Sequence, residues 1–85
     1  MATSMLNNVV IKSKTVTATT NINGVAFTNM NLTDGVIVSI AEKVNGNKCV
    51  PSLFGNAWYV LVLTNSGTTV STVPSTELEF VMSYI

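Results

Sequence analysis

The 85-residue chain contains no histidine and no arginine, and its formal charge rests on four lysines and four acidic residues that cancel to zero. Without histidine there is no Ser–His or Cys–His nucleophile pair and no imidazole metal ligand. A neutral chain with a pI near 6.0 offers no electrostatic footprint for phosphate, which argues against nucleic-acid binding. Cys49 is the single cysteine, so no internal disulfide exists; it reads as a small, half-buried apolar residue. The longest uninterrupted apolar run is Ala57–Leu63, far short of the ~20 residues a spanning helix needs, so membrane insertion is not expected. Met1 to Asn8 has neither the basic start nor the apolar core of a secretory signal and reads as a lead-in segment. No glycine-rich phosphate cradle occurs. These absences lead to an expectation of no enzyme activity: no catalytic residue, no metal and no cofactor.

Charged residues form 9% of the chain against about 25% in ordinary soluble domains, and Thr, Asn and Ser take their place. Apolar residues are 47%, a combination that disfavours disorder. A chain of this length is one small domain, expected over residues 9–85, burying roughly 60–65% of its unfolded surface. Near-zero charge leaves little repulsion between copies, so self-association is easy.

Strand formers and turn signals alternate throughout. Val9 to Lys12 and Lys14 to Thr20 read as strands, the second with Val16 and Ala18 on one side and Thr15, Thr17 and Thr19 on the other. Asn23-Gly24 is a turn signal, Val25 to Thr28 a short strand, and Asn29 to Gly35 a polar connection. Val36 to Ala41 reads as an apolar strand, and Asn45-Gly46 suits a type I′ hairpin leading into Lys48–Val50. Pro51 to Asn56 reads as a loop presenting Leu53 and Phe54. Ala57 to Leu63 is the most apolar strand; Asn65-Ser66-Gly67 turns the chain, and Thr68 to Val73 returns beside it. The last strand, Leu78 to Ile85, puts Leu78, Phe80, Met82 and Tyr84 on one side. Thr76-x-x-Glu79 fits a capping box, but the residues after it alternate at period two, so no full helix follows. The expected fold is all-β: a small antiparallel sandwich, jelly-roll-like, of about seven to eight short strands without substantial helix.

A strand with one wet face alternates apolar and polar residues. Ala57–Leu63 does not: Tyr59, Leu61 and Leu63 oppose Trp58, Val60 and Val62. One side packs in the domain's own core and the other needs cover, which no helix of this chain can supply. Four apolar side chains buried per copy yield roughly 6–12 kcal/mol, set against ~4–15 kcal/mol for association. Two contacts per copy, as in a ring, make the balance comfortable and favour a trimer. A monomeric sandwich in which that strand is merely central is the alternative. Ile37, Trp58, Val60, Val62, Tyr84 and Ile85 are the expected oligomer-interface residues, with Leu53, Phe54 and Asn56 as outward ligand or receptor contacts.

Asp34, Glu42, Glu77 and Glu79 are scattered, and their expected role is solvated or edge-protecting charge. Glu77 and Glu79 share a face only if the last strand begins that early, which is the one arrangement that would suit a hydrolase acid pair. Lys12, Lys14, Lys43 and Lys48 flank strands or turns, where lysine discourages edge-to-edge aggregation. Asn31-Leu32-Thr33 fits the N-glycosylation pattern. Trp58 and Tyr59 could form a sugar-stacking platform, which keeps a monomeric carbohydrate-binding module as a rival reading.

The order of Lys14-Thr15-Val16-Thr17-Ala18-Thr19-Thr20, Asn23-Gly24, Val36-Ile37-Val38-Ser39-Ile40, the Pro51 segment, Trp58-Tyr59-Val60, the turn ending at Gly67 and the closing Tyr84-Ile85 resembles a small β-domain near the C-terminal ends of phage tail and tail-fibre proteins from Gram-positive hosts. The resemblance runs from about Lys12 to Ile85. It implies a virion structural protein, assembled in the host cytoplasm, that forms a homotrimer at a tail tip or fibre end. The partners it implies are its own copies, other virion proteins and, for host attachment, a cell-wall glycan. A head decoration protein is the neighbouring alternative. No catalytic residue is carried over by the resemblance.

Overall fold

Alternation at period two organises the chain. The computed structural model describes residues 10–64 and 70–85. Within them the chain runs β1 (Lys12–Thr19), β2 (Val25–Asn31), a 3-10 turn (Leu32–Asp34), β3 (Ile37–Glu42), β4 (Lys48–Phe54), β5 (Ala57–Leu63) and β6 (Glu77–Tyr84). They form two three-stranded antiparallel sheets, β1-β6-β3 (sheet A) and β2-β5-β4 (sheet B). Only β4 and β5 are consecutive neighbours; every other connection carries the chain from one sheet to the other. The protein is therefore an all-β sandwich, with β6 and β5 as the central strands.

Side chains from both sheets meet in the core. One cluster joins Ala26, Val60 and Val62 of sheet B to Leu78 and Phe80 of sheet A. The second joins Met30 to Ile37 and Met82, with Trp58, Val16 and Tyr84 packed against it. Ile40 touches both clusters. The alternating set Leu78, Phe80, Met82 and Tyr84 faces inward as its period implies.

Six strands stand where seven to eight were expected, and each discrepancy has a local cause. Lys14 does not interrupt the first strand, because β1 pairs with β6 without a break from Lys12↔Tyr84 to Thr19↔Glu77. Pro51 does not end pairing either. It lies within β4, opposite Val60, and β4 is an edge strand, where proline is tolerated. The Pro51–Asn56 loop is thereby reduced to a two-residue turn at Gly55-Asn56, with φ of 60° at Gly55 matching the glycine-first hairpin type. The returning strand Thr68–Val73 shrinks, over its described part, to one bridge between Thr72 and Leu63; its start, the Asn65-Ser66-Gly67 turn and Val9 lie outside the described residues. Thr76 caps no helix. Instead its N–H donates to Thr20 Oγ1 at 2.9 Å while the Thr20 N–H donates to the Thr76 carbonyl at 2.9 Å, pinning β1 to β6.

Two backbone features need their residues. Asn29 takes φ of 63° in a bulge between Phe27 and Met30, and the buried Thr28 hydroxyl donates to the Trp58 carbonyl at 2.7 Å. Gly35, at φ of 147°, lies so close to the end of β6 that a Cβ there would sit 2.8 Å from the Ile85 carbonyl oxygen.

Asn45-Gly46 does not make the expected hairpin, because β3 and β4 belong to different sheets and only Gly46 of the pair has positive φ. The turn is shaped by Glu42, and here the expectation of a solvated carboxylate is corrected. Glu42 is 4% exposed. Its carboxylate accepts the N–H groups of Val44 (2.7 Å), Asn45 (2.8 Å) and Asn47 (3.4 Å) and the Asn47 amide (2.7 Å). Burial pushes its pKa up, but these hydrogen bonds together outweigh burial and hold it below the ordinary carboxylate value. A depressed folded-state pKa contributes stability that is present above the unfolded value and lost as pH falls through the folded one.

Glu42→Gln, which turns an amide NH2 toward backbone donors, is expected to lower stability by about 2 kcal/mol or more. Urea midpoints measured from neutral pH into the acid range should fall for the native chain below about pH 5, with a flatter profile for the variant. Matching profiles would show that Glu42 does not hold this turn.

Candidate functional site

Each sheet has one face in the core and one outside, and the two outer faces differ in chemistry. On sheet A the outward rows read Thr15–Val81–Ala41 and Ser13–Ser83–Ser39, with Glu79 opposite Thr17. They are short, mostly hydroxylated side chains. Lys43 Nζ lies 3.9 Å from Glu79 Oε1 at the margin of this face. The pair is exposed and worth little.

On sheet B the outward rows read Val25–Leu61–Val50 and Phe27–Tyr59–Ser52, followed by Asn31–Ala57–Phe54. Phe27 and Tyr59 face each other across the strands with ring centroids 5.4 Å apart, and Phe54 meets Tyr59 edge-on at 6.3 Å. Cross-strand aromatic pairs of this kind stabilise a sheet, yet these rings stay open: Phe27 is 42% exposed and Phe54 79%. Val50 is exposed as well, and Leu61 and Leu63 are only half covered. No strand packs over this face among the described residues. An open groove of about 430 Å³ runs along it, lined by Asn21, Asn23, Val25, Phe54 and Tyr59. Lys48, opposite Leu63, lies at the margin of these rows, which themselves hold no charged residue. This is a contiguous apolar patch on a sheet surface, the kind of surface that marks an interaction site.

The expected interface residues sit mostly on the other side. Ile37 is 6% exposed, and Val60 and Val62 are fully buried. All three lie in the core of a single protomer, so the expectation that they face a partner is corrected. Trp58 is half-buried against Met30 and Met82, and its indole N–H donates to the Gly35 carbonyl at 3.0 Å, so it too serves the protomer's own packing. Tyr84 packs against the same cluster under Lys12, whose Nζ is 5.9 Å from the ring centroid. Ile85 is exposed, with its backbone tied reciprocally to Val36. Leu53, Phe54 and Asn56 are exposed at the β4–β5 tip, which the Leu32 N–H holds through the Asn56 carbonyl at 2.7 Å. Leu53 shares the Trp58 side of the sheet and Phe54 the outer side, so only Phe54 of the pair belongs to the patch.

The open face was legible as a row but not as an exterior. Tyr59, Leu61 and Leu63 alternate with Trp58, Val60 and Val62, and hydropathy ranks the two rows equally. Phe27 and Val50 lie in short stretches whose polar neighbours, Thr28 and Asn29 or Ser52, leave too little alternation to rank the two sides.

The remaining chemistry-bearing residues are dispersed. Glu77 and Glu79 do share a face, since β6 begins at Glu77, beside an open groove of about 350 Å³ lined also by Thr17, Val44, Asn45 and Leu78. Burial, with the nearby Glu42 carboxylate, pushes the Cys49 thiol up to about 11, which keeps it protonated and a poor nucleophile at neutral pH. Among the described residues no three His, Cys, Asp or Glu side chains gather as a metal site, and no helix is long and apolar enough to cross a membrane. No known family matches the chain, and no curated protein or solved structure shows significant similarity to it.

The assignment of faces can be checked within one strand. Val60→Lys is expected to abolish cooperative unfolding, because it places an unpaired charge in the core. Leu61→Lys, one residue along, should keep the native circular dichroism and still unfold cooperatively. Equal damage at both positions would mean that the outer face is internal.

Proposed function

We propose that this chain is a non-enzymatic structural module that assembles with copies of itself through the outer face of sheet B. The single observation that carries this reading is the uncovered row of Phe27, Val50, Tyr59, Leu61 and Phe54 on strands whose other side already fills the core. A second copy is the occupant that charge favours. The outward rows from Val25 to Phe54 hold no formal charge, so two identical faces meet without like-charge repulsion, and Lys48 stays at the margin. Uncharged, Tyr- and Phe-bearing surface is also what the centre of a protein interface is made of. Among the described residues the four sheet edges are less suited. β2 and β3 are interrupted by bulges, β4 contains Pro51, and β1 carries Lys12 and Lys14, all devices that resist edge pairing.

The biological setting rests on the resemblance to phage tail domains: a trimeric virion component of a tail or tail fibre, with Phe54, Leu53 and Asn56 at the exposed hairpin tip as host-surface contacts. In a trimer the sheet-B faces turn toward a three-fold axis and the hydroxyl-rich faces of sheet A turn outward. One observation favours a second reading. Tyr59 and Phe54 beside the side chains of Asn21 and Asn23 offer aromatic and amide contacts suited to a glycan in the same groove, which would make this a monomeric carbohydrate-binding module.

Light scattering at micromolar concentration should return three times the 9.0 kDa chain mass. Tyr59→Lys should shift the protein to monomer, while Val81→Lys on the outer face of sheet A should leave the trimer intact. A native chain that stays monomeric would remove the assembly reading. If it then binds cell-wall oligosaccharides and Tyr59→Ala abolishes that binding, the glycan reading takes its place.

A further inference from the structure

Two Asn-Gly pairs occur in the chain, Asn23-Gly24 and Asn45-Gly46, and the fold treats them in opposite ways. Asn-Gly is the dipeptide most open to spontaneous deamidation, because glycine leaves its own backbone nitrogen accessible to the preceding side chain. At Asn23 that route is closed. The Gly24 N–H donates to the Asn21 carbonyl at 3.0 Å, and Gly24 is buried. A Cβ there would lie 2.7 Å from Thr72 Cβ, and the Gly24 carbonyl accepts the Val62 N–H at 2.8 Å. The Asn23 N–H is itself held by Asn21 Oδ1 at 2.8 Å. The Gly24 nitrogen is engaged, and the glycine is held in a crowded, buried position.

At Asn45 the residue's own N–H is likewise held, by Glu42 at 2.8 Å, but the restraints on the glycine are missing. Asn45 and Gly46 are both exposed, and nothing lies within 4 Å of a Cβ built on Gly46. The Glu42 carboxylate takes the N–H groups of Val44, Asn45 and Asn47 but passes over that of Gly46. Among the described residues no acceptor stands in hydrogen-bond geometry with the Gly46 N–H. The buried carboxylate thus fixes the turn on both sides of one free nitrogen.

We propose that Asn45 is a site of spontaneous, fold-directed deamidation and that Asn23 is shielded from it. The Gly46 nitrogen, losing its proton to hydroxide, attacks Asn45 Cγ; the new N–Cγ bond closes a succinimide and the side-chain nitrogen leaves as ammonia. Water then opens the ring at either carbonyl, giving aspartate or isoaspartate and a new carboxylate. The step needs only water and base, and no redox partner. For a chain of zero net charge the product carries −1. Isoaspartate also adds a methylene to the backbone between the Asn45 and Asn47 N–H groups that Glu42 holds, so the modified turn cannot keep all of its hydrogen bonds to that carboxylate.

The test is incubation of the folded protein at mildly alkaline pH, followed by isoelectric focusing and by peptide mass spectrometry with fragmentation. Cleavage after Lys43 and Lys48 isolates Val44–Lys48, so Asn45 is read separately from Asn23 and is distinguished from Asn47 by its fragments. In the folded protein Asn45 should react at least about tenfold faster than Asn23, the factor that ~1.4 kcal/mol of added barrier at the bonded, buried Gly24 nitrogen would produce. In urea, where both pairs are free, the two rates should converge. Asn45→Ser should abolish the main acidic species. Comparable native rates at the two sites, or a modification that falls on Asn47, would overturn the proposal.

Discussion

A sandwich has two inner and two outer faces, and β5 is apolar on both of its sides. That mismatch governs the molecule. Trp58, Val60 and Val62, with Met30 beside them in sheet B, meet Phe80 and Met82 across the sandwich and fill the core. Tyr59 and Leu61 are then forced to the exterior by the period of two, whatever their hydropathy. No shift of register relieves the conflict, because a one-residue slip would only exchange the rows. The open surface of sheet B follows from the same strand that makes the core.

The rest of the architecture serves to hold two small sheets together with few ions. Because most connections cross between sheets, the turns carry the structural burden and are built from side chains that bond to backbone. Asn21 Oδ1 accepts two N–H groups at the first crossing, Asp34 holds the Asn31 N–H at the second, and Glu42 holds three at the next. Thr20 and Thr76 close the sandwich where its first and last strands meet. Asn21, Thr20 and Thr76 thus have a mechanical use beside the two carboxylates: short polar side chains satisfy turn backbone where the chain crosses between sheets.

Much of this was legible in the sequence, within limits set by physics. The all-β class, the inward set of β6 and the doubled apolar pattern of β5 all follow from alternation. Strand count did not, because Pro51 looks like a terminator unless the strand is known to be an edge, and edges are decided by pairing partners far away in the chain. The hairpin expected at Asn45-Gly46 failed for the same reason: the turn is local, but β3 and β4 part into different sheets. Glu42 could not be recognised as buried, since nothing around it marks a carboxylate that the next five residues will wrap. The choice of outward row was the costliest ambiguity. Val60 and Leu61 are equally greasy, and only the opposing sheet reveals that Val60 points into the core.

The central claim is that one face of sheet B is covered by other copies of the chain and not by the protomer itself. Hydroxyl-radical footprinting across a dilution series tests it most directly, with Phe27 and Tyr59 as reporters and the exposed Val36, paired with Ile85 beyond the end of β6, as the reference. The account predicts that Phe27 and Tyr59 are protected at high concentration and become reactive on dilution while Val36 stays constant. Reactivity of Phe27 and Tyr59 that is high and unchanged at every concentration would contradict it.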